Sequence, residues 1–215
     1  MLRPQKPLSY LISSGETTSA STQVSDDFQK ILQLIKAAVA ASVDLIQVRE
    51  KGLPVSVLFE LVTRASHLTR GSVTKLLVND RVDVAIAAGA DGVQLTGSSI
   101  SASVVRQTFG SDAVIGVSTH SLPEARAAKA MGADFAVFGP VFETPAKTQY
   151  GPPLGVERLK EVCSDLKPFP VIAIGGIDEQ NFAECLRAGA AGVAAIRMFQ
   201  DTRSLQTIVE NIHQY

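Results

Sequence analysis

The feature that most constrains the fold is a regular alternation of short apolar runs with longer stretches of helical spacing. The apolar runs are almost continuous rather than interrupted by polar residues, which is typical of parallel strands covered on both faces. They occupy residues 8–13, 44–48, 75–78, 92–95, 113–117, 135–138, 171–174 and 192–196. Apolar residues at helical spacing fill 27–41, 55–69, 81–88, 101–108, 121–131, 156–165, 178–187 and 201–213.

Eight strand–helix units in 215 residues predict an α/β fold, a minimal (β/α)8 TIM barrel formed by residues 1–215 as a single domain. A doubly wound open sheet is the alternative, because alternation alone does not distinguish an open sheet from a closed one. No Gly-x-Gly-x-x-Gly follows the first predicted strand, which disfavours the dinucleotide-binding form of the open sheet.

Several residues mark the predicted boundaries of these elements. A glycine followed by alanine ends a predicted helix and leads directly into the next strand three times, at Gly89, Gly132 and Gly189. Ser121 and Asp178 are predicted to open the fifth and seventh helices, because short polar side chains cap the free N–H groups there. The polar residues 13–25 are predicted to form a long loop after the first strand.

The composition excludes several classes of function. The formal net charge is −1 and no Lys- or Arg-rich block occurs, so no basic field attracts a nucleic acid. No apolar run approaches the ~18–20 residues of a membrane span, and no apolar signal core follows the N-terminus. Cys163 and Cys185 lie on different predicted helices without metal-ligand spacing, which favours buried reduced thiols. We expect a soluble cytoplasmic protein without a nucleic-acid or membrane partner.

Polar side chains follow the second predicted strand. Gln47, Arg49 and Lys51 are spaced two residues apart, so an extended chain places them on one side. In a barrel of this kind the functional groups lie at the carboxyl ends of the strands. Two cations and an amide there suit an anionic or heteroaromatic ligand, which predicts a substrate-binding site. The alternative is a solvated strand end in which Arg49 pairs with a neighbouring acid.

The third and fifth strands are followed by groups with different chemistry. Asn79 and Asp80 follow the third strand, where Asn79 is a candidate for substrate binding and the Asp80 carboxylate can hold Mg²⁺ together with substrate oxygens. An ordinary helix N-cap explains the same pair equally well. Ser118, a candidate for substrate binding, and His120 follow the fifth strand, where a histidine is well placed for acid–base catalysis near neutral pH. An isolated histidine is more often structural.

The longest loop, residues 139–155, follows the sixth strand. Long loops in compact domains are usually functional, so Thr144 and Lys147 predict a lid that supplies a hydroxyl and a cation to the substrate. The alternative is a surface loop without a functional role.

The turns after the seventh and eighth strands predict a phosphate site. Barrels place phosphate against exposed backbone N–H groups at these two positions. The predicted phosphate-binding residues are Gly175, Gly176, Ile196 and Arg197.

Six motifs together carry a resemblance to a known family: residues 47–51, 78–83, 89–95, 115–121, 138–147 and 173–177. The chain resembles the thiamin phosphate synthase/TenI superfamily along nearly its whole length. The resemblance implies one of two activities. The synthase joins a hydroxymethylpyrimidine diphosphate to a thiazole phosphate and releases pyrophosphate with the help of Mg²⁺. The TenI tautomerase aromatises a carboxythiazole phosphate by moving a proton, without a metal.

The sequence combines features of both branches. Residues 47–51 and 79–80 match the pattern with which the synthase binds the pyrimidine diphosphate. Three departures from the synthase pattern stand beside this match: Ser99 replaces a Mg²⁺-binding acid, Ala146 replaces a threonine, and Arg197 replaces a phosphate-loop serine. The segments 93–99, 119–122 and 138–144 are similar to TenI, in which the histidine that matches His120 is the proposed acid–base residue.

Loss of a metal carboxylate beside a departing pyrophosphate is costly, whereas a proton shift needs only a poised base and a phosphate site. We therefore predict a TenI-like tautomerase that acts on a phosphorylated thiazole through His120 and needs no cofactor. The first alternative is the synthase, with Mg²⁺ on Asp80. The second is a non-catalytic phosphate-binding barrel, whose ligand binding would not depend on His120. A homo-oligomer is compatible with either enzyme.

Overall fold

The computed structural model describes residues 5–144 and 152–215, which form a closed barrel of eight parallel strands. The strands, β1 to β8, are Leu8–Ile12, Leu45–Val48, Lys75–Asn79, Gly92–Leu95, Val114–Thr119, Phe135–Phe138, Val171–Ile174 and Gly192–Ala195. The helices, α1 to α8, are Asp26–Ala40, Val55–Thr69, Val82–Ala87, Ala102–Phe109, Leu122–Ala130, Gly155–Leu166, Phe182–Arg187 and Leu205–His213. Because β8 pairs with β1, the sheet has no free edge, and the predicted (β/α)8 barrel is confirmed against the open sheet.

Two apolar clusters stabilise the barrel. The larger one lies between the strands and the helices, as α1 illustrates: Phe28, Ile31, Leu34 and Ile35 recur at helical spacing and are buried. The smaller one fills the interior of the barrel, where the rings of Tyr10 and Phe135 meet edge-to-face with centroids 6.0 Å apart. Burial of each large apolar side chain contributes about 1.5–3 kcal/mol, so these clusters rather than surface pairs determine the stability.

Helix ends agree with the sequence signals at several positions. The glycines of the repeated motif, Gly89, Gly132 and Gly189, all adopt positive φ two residues after the last residue of their helices. Ser121 is the N-cap of α5, and its hydroxyl accepts the N–H of Glu124 at 3.3 Å. Cys163 and Cys185 are buried free thiols, as predicted.

The predicted start of the seventh helix is wrong by four residues, since α7 begins at Phe182 rather than at Asp178. The Asp178 carboxylate accepts the N–H groups of Gln180 and Asn181, at 2.9 and 3.1 Å, so it closes a turn instead of capping a helix. A 3-10 helix, Arg197–Phe199, follows β8 and was not predicted. α8 begins at Leu205 instead of 201, after a turn in which Asp201 accepts the N–H of Arg203 at 3.1 Å.

A polar cluster ties the N-terminal end of the barrel together. The Asp44 carboxylate accepts the N–H and the hydroxyl of Ser9, at 2.9 and 2.7 Å, and lies 2.7 Å from Nε2 of His213 on α8. Contacts at this end of such barrels stabilise the fold, because the chemistry lies at the opposite end. No helix in the described part of the chain is both long and apolar enough to cross a membrane.

Candidate active site

A layer of hydrogen-bonded polar side chains crosses the barrel at β1 to β5. The Tyr10 hydroxyl lies 3.3 Å from Oε1 of Gln47 and 3.1 Å from Oε1 of Gln94. Gln47 donates through Nε2 to Oδ1 of Asn79 at 2.9 Å, and Gln94 donates to the Ser118 hydroxyl at 3.0 Å. Three predicted site residues thus share one network with two residues that the sequence did not single out, Tyr10 and Gln94.

These contacts fix the direction of the amide groups. Burial raises the pKa of Tyr10 well above its ordinary value, so the phenol stays neutral and donates to an amide oxygen. The amide nitrogen of Gln47 therefore faces the oxygen of Asn79. The Nδ2 donors of Asn79 have no assigned partner within residues 5–144 and 152–215, so they suit a ligand that offers acceptor atoms. Among the residues of this layer that were not predicted, the sequence signals are a tyrosine in β1 and a glutamine in the short strand β4.

The predicted cations lie beyond the layer, towards solvent. Gln47 is buried, Arg49 is half-buried and Lys51 is exposed, so the three side chains follow the strand out of the barrel into the mouth. The Arg49 N–H donates to the Ser13 hydroxyl at 2.8 Å, which holds the backbone in place. Within residues 5–144 and 152–215 neither cation forms an ion pair, so the described structure gives no support to the alternative in which Arg49 pairs with an acid.

The turn after β3 presents a single carboxylate. Asp80 adopts a φ of 64°, and its N–H donates to the Gln94 carbonyl at 3.0 Å. Its Oδ1 accepts the Ser99 hydroxyl, and Ser99 in turn accepts the Thr96 N–H at 2.7 Å. The N-cap of α3 is Arg81, without a side-chain bond, so the N-cap explanation of the Asn79–Asp80 pair is wrong.

This carboxylate fits a Mg²⁺ ion that is shared with a substrate. In the described part of the chain no three His, Cys, Asp or Glu side chains cluster as a ready-made metal site. Mg²⁺ in phosphate-transfer sites is commonly held by one or two carboxylates plus substrate oxygens, and ligating carboxylates are themselves hydrogen-bonded. Asp80 meets both conditions, since Ser99 holds one oxygen and the other has no assigned partner among residues 5–144 and 152–215.

His120 follows directly on β5, which ends at Thr119, two residues later than predicted. Its Nδ1 bonds the carbonyl oxygen of Gly139, at the end of β6. A carbonyl only accepts, so Nδ1 carries the proton and Nε2 presents its lone pair in the neutral ring. The backbone N–H of His120 donates to Glu124 at 2.8 Å, which anchors the residue to the first turn of α5. The side chain is exposed to solvent at the mouth.

The Gly175–Gly176 turn after β7 packs tightly against the segment that follows β6. Both glycines have positive φ, 100° and 65°. A Cβ on Gly175 would lie 2.5 Å from Pro140, and one on Gly176 would lie 2.4 Å from the carbonyl oxygen of Glu143. Asn181 holds the Gly176 carbonyl at 2.9 Å. A larger residue at Gly176 would therefore displace residues 142–143, so such a variant is not a clean test of phosphate binding.

The end of β8 leads into the 3-10 helix Arg197–Phe199. The first N–H groups of any helix lack internal partners, and barrels often place phosphate between this kind of short helix and the turn after β7. Ile196 is half-buried, and the exposed Arg197 guanidinium has no hydrogen bond or ion pair within the described ranges. Thr144 is half-buried after β6, whereas the predicted Lys147 and Ala146 lie outside the described residues.

The fold and this polar mouth define a (β/α)8 barrel with acid–base, amide and cationic side chains at the carboxyl ends of its strands. The sequence model of the family described as thiamine monophosphate synthase, TMP-TENI, matches residues 20–199. The chain belongs to this family, and the resemblance inferred from its motifs is confirmed.

Relatives and a solved structure agree with this assignment. A putative thiamine-phosphate synthase of Geobacter sulfurreducens is 48% identical over 166 residues, which are 77% of this chain and 78% of the relative. A thiamine-phosphate synthase of Chlorobium phaeobacteroides is 34% identical over 93% of this chain and 91% of its own. The structure of thiamine phosphate pyrophosphorylase from Pyrococcus furiosus is 31% identical with a TM-score of 0.77, covering 95% of this chain and 96% of that one. These findings support the synthase alternative better than the tautomerase.

Proposed function

We propose that the protein is a thiamin phosphate synthase, a transferase that joins a pyrimidine diphosphate to a thiazole phosphate. The observation that carries the proposal is the set of groups on β2 and β3. Arg49 and Lys51, which have no ion pair within residues 5–144 and 152–215, follow β2, and the carboxylate of Asp80 follows β3, while the amides of Gln47 and Asn79 at these strand ends are bonded to each other. The names of the family relatives support the same reaction.

Each side chain has a role that follows from its chemistry. Arg49 and Lys51 bind the diphosphate, because a guanidinium offers paired donors to phosphate oxygens and an ammonium offers a point charge. The free Nδ2 donors of Asn79 bind acceptor atoms of the pyrimidine, with Gln47 holding the amide in place. Asp80 would hold Mg²⁺, which neutralises charge on the departing pyrophosphate. The turns at Gly175–Gly176 and Ile196–Arg197 would hold the phosphate of the thiazole.

A second candidate is the TenI-like tautomerase, and two observations favour it. Ser99 stands where the synthase pattern has an acid, and its hydroxyl bonds Asp80 instead of binding a metal with charge. His120 directs Nδ1–H to the Gly139 carbonyl, and its Nε2, which has no assigned partner among the described residues, is suited to act as a base towards a thiazole in the mouth.

Purified protein assayed with both substrate sets, with and without Mg²⁺, separates the two reactions. For the synthase we expect Mg²⁺-dependent thiamin phosphate formation, which Asp80→Asn lowers by about 10²-fold because the metal loses its protein charge. The matched control is Asp83→Asn, a nearby exposed carboxylate paired with Arg81 at 2.8 Å. His120→Gln should leave this rate nearly unchanged.

The opposite pattern would reject the proposal. Thiazole aromatisation without Mg²⁺ that falls by about 10²–10⁴-fold in His120→Gln identifies the tautomerase instead. Retained binding of a phosphorylated thiazole without either activity identifies the non-catalytic barrel. Absence of thiamin phosphate formation in the presence of Mg²⁺ contradicts the synthase in both cases.

A further inference from the structure

A buried carboxylate lies between the two cations of the mouth. Glu50 is 3% exposed, although Arg49 is half-buried and Lys51 is exposed. Its Oε1 accepts the N–H of Gly15 at 3.1 Å. Its Oε2 accepts the N–H and the hydroxyl of Thr17, at 3.3 and 2.7 Å. Because a buried carboxylate is costly unless it is hydrogen-bonded, these three donors make Glu50 an anchor between β2 and the loop after β1.

The loop after β1, residues 13–25, is anchored by two carboxylates. Asp27 accepts the hydroxyls of Ser21 and Ser25 and so holds the second half. Among the described residues, the assigned hydrogen bonds from 14–17 to the rest of the barrel all end on Glu50. The same half also lines an open cleft of about 310 Å³ beside α1.

The anchored half of the loop lies against residues 49–52, which follow β2. A Cβ on Gly15 would lie 3.1 Å from both Nη1 and the carbonyl oxygen of Arg49. A Cβ on Gly52 would lie 2.3 Å from the carbonyl oxygen of Thr17, so the two backbones are in direct contact. No hydrogen bond from the Arg49 guanidinium is assigned within residues 5–144 and 152–215, and its direction therefore depends on packing against this loop.

We propose that Glu50 is a positioning residue for the diphosphate-bearing substrate. It fixes Gly15 and Thr17 across β2 and thereby orients the Arg49 guanidinium towards the mouth. The inference rests on the proposed function, since it assigns the diphosphate to Arg49. Glu50 itself contacts no substrate, because its carboxylate is buried and fully engaged by the loop.

The test compares Glu50→Gln with Glu16→Gln, an exposed glutamate of the same loop without an assigned bond. The amide keeps the shape of Glu50 but loses the charge and directs an NH2 group at N–H donors. We expect the Kd for inorganic pyrophosphate and the KM for the pyrimidine diphosphate to rise about tenfold, because a preorganised cation becomes mobile. The KM for the thiazole phosphate and kcat should change less than twofold. Thr17→Val should show part of the effect, and Thr17→Ser should restore normal binding.

Two further measurements distinguish the outcomes. Amide hydrogen exchange of residues 14–17 should accelerate in Glu50→Gln and stay unchanged in Glu16→Gln. Equal exchange rates in the two variants would contradict the claim that Glu50 anchors this part of the loop. If the wild type forms thiamin phosphate and Glu50→Gln binds pyrophosphate as tightly as the wild type does, the positioning role is overturned. A lower kcat together with a rise in both KM values and a lower Tm shows that Glu50 stabilises the fold and has no positioning role. A wild type that forms no thiamin phosphate refutes the proposed function and the diphosphate role, while the exchange measurement still decides the anchor.

Discussion

Tyr10→Phe removes one oxygen atom from the centre of the polar layer. The side chain is completely buried, and its hydroxyl lies within hydrogen-bond distance of the amide oxygens of Gln94 and Gln47, at 3.1 and 3.3 Å. The phenyl ring of the variant keeps the edge-to-face contact with Phe135. The substitution therefore isolates the hydrogen bond from the packing.

The expected cost follows from the geometry. A hydroxyl proton serves one acceptor at a time, so the variant leaves one buried amide oxygen without its donor. A lost buried partner costs about 1–3 kcal/mol, and we expect the free energy of unfolding to fall by about 2 kcal/mol. For a chain of 215 residues this corresponds to a decrease in Tm of about 4–8 °C. Because burial raises the Tyr10 pKa, the contribution is fully present below the ordinary phenol pKa of 10.0 and is lost only as the pH rises through the higher folded value.

Urea and thermal unfolding, together with steady-state kinetics, measure both consequences. Freed amides of Gln47 and Gln94 lose their fixed direction, so the KM for the pyrimidine diphosphate should rise about 3–10-fold while kcat changes little. Tyr215→Phe is the control, since that hydroxyl is exposed and accepts from Arg187 at 2.9 Å. A Tyr10→Phe protein as stable as the control, with an unchanged KM, would refute the role of the hydroxyl in the layer.

Two further predictions concern charged groups. Arg106→Met should lower the free energy of unfolding by about 2–4 kcal/mol, because the nearly buried Asp134 loses its guanidinium at 2.7 Å, whereas Arg126→Met at an exposed pair should behave like the wild type. Burial alone would raise the pKa of Asp134, but its bonds to a backbone N–H and to Arg106 hold the pKa below its ordinary value. This stabilisation is therefore present above about pH 4 and is lost as the pH falls through the lowered pKa. Arg106→Met should therefore unfold in acid at a higher pH than the wild type, and identical acid transitions of the two proteins contradict this. Arg197→Ala should raise the KM for a thiazole phosphate by about tenfold or more without affecting the unphosphorylated alcohol, and Arg203→Ala, which removes a cation paired with its neighbour, should affect neither.

The sequence predicts those parts of the site that depend on local geometry. The two-residue spacing of Gln47, Arg49 and Lys51 predicts that their side chains share one side of the chain at the end of β2, and in the structure their exposure increases in this order. Ser121 caps α5 because a hydroxyl three residues before Glu124 reaches its N–H in any helix start of this form. His120 lies at the mouth because β5 ends one residue earlier.

Local sequence patterns do not predict hydrogen bonds between residues that are far apart in the sequence. The bonds of Tyr10 to Gln47 and Gln94 join positions that come together only when the barrel closes with its particular register. Glu50 has the same sequence context as its cationic neighbours, and only the path of the loop after β1 shows that it is a buried anchor. Asp178 gives the signal of a helix start, yet its carboxylate closes a turn, because both structures use the same acceptor geometry.

The replacement of an acid by Ser99 has a definite electrostatic consequence for the proposed synthase. Asp80 is the one carboxylate among the described residues of this turn, while Arg49 and Lys51 follow the neighbouring strand and have no ion pair within residues 5–144 and 152–215. A site with one carboxylate attracts a free divalent ion weakly, since Mg²⁺ gives up its hydration water only for well-placed charged oxygens. In the proposed synthase the diphosphate would supply those oxygens, and the two cations would hold it independently of the metal. Substrate and Mg²⁺ would therefore bind with positive coupling, and the hydroxyl of Ser99, which holds Oδ1, would leave the other oxygen of Asp80 for the ion.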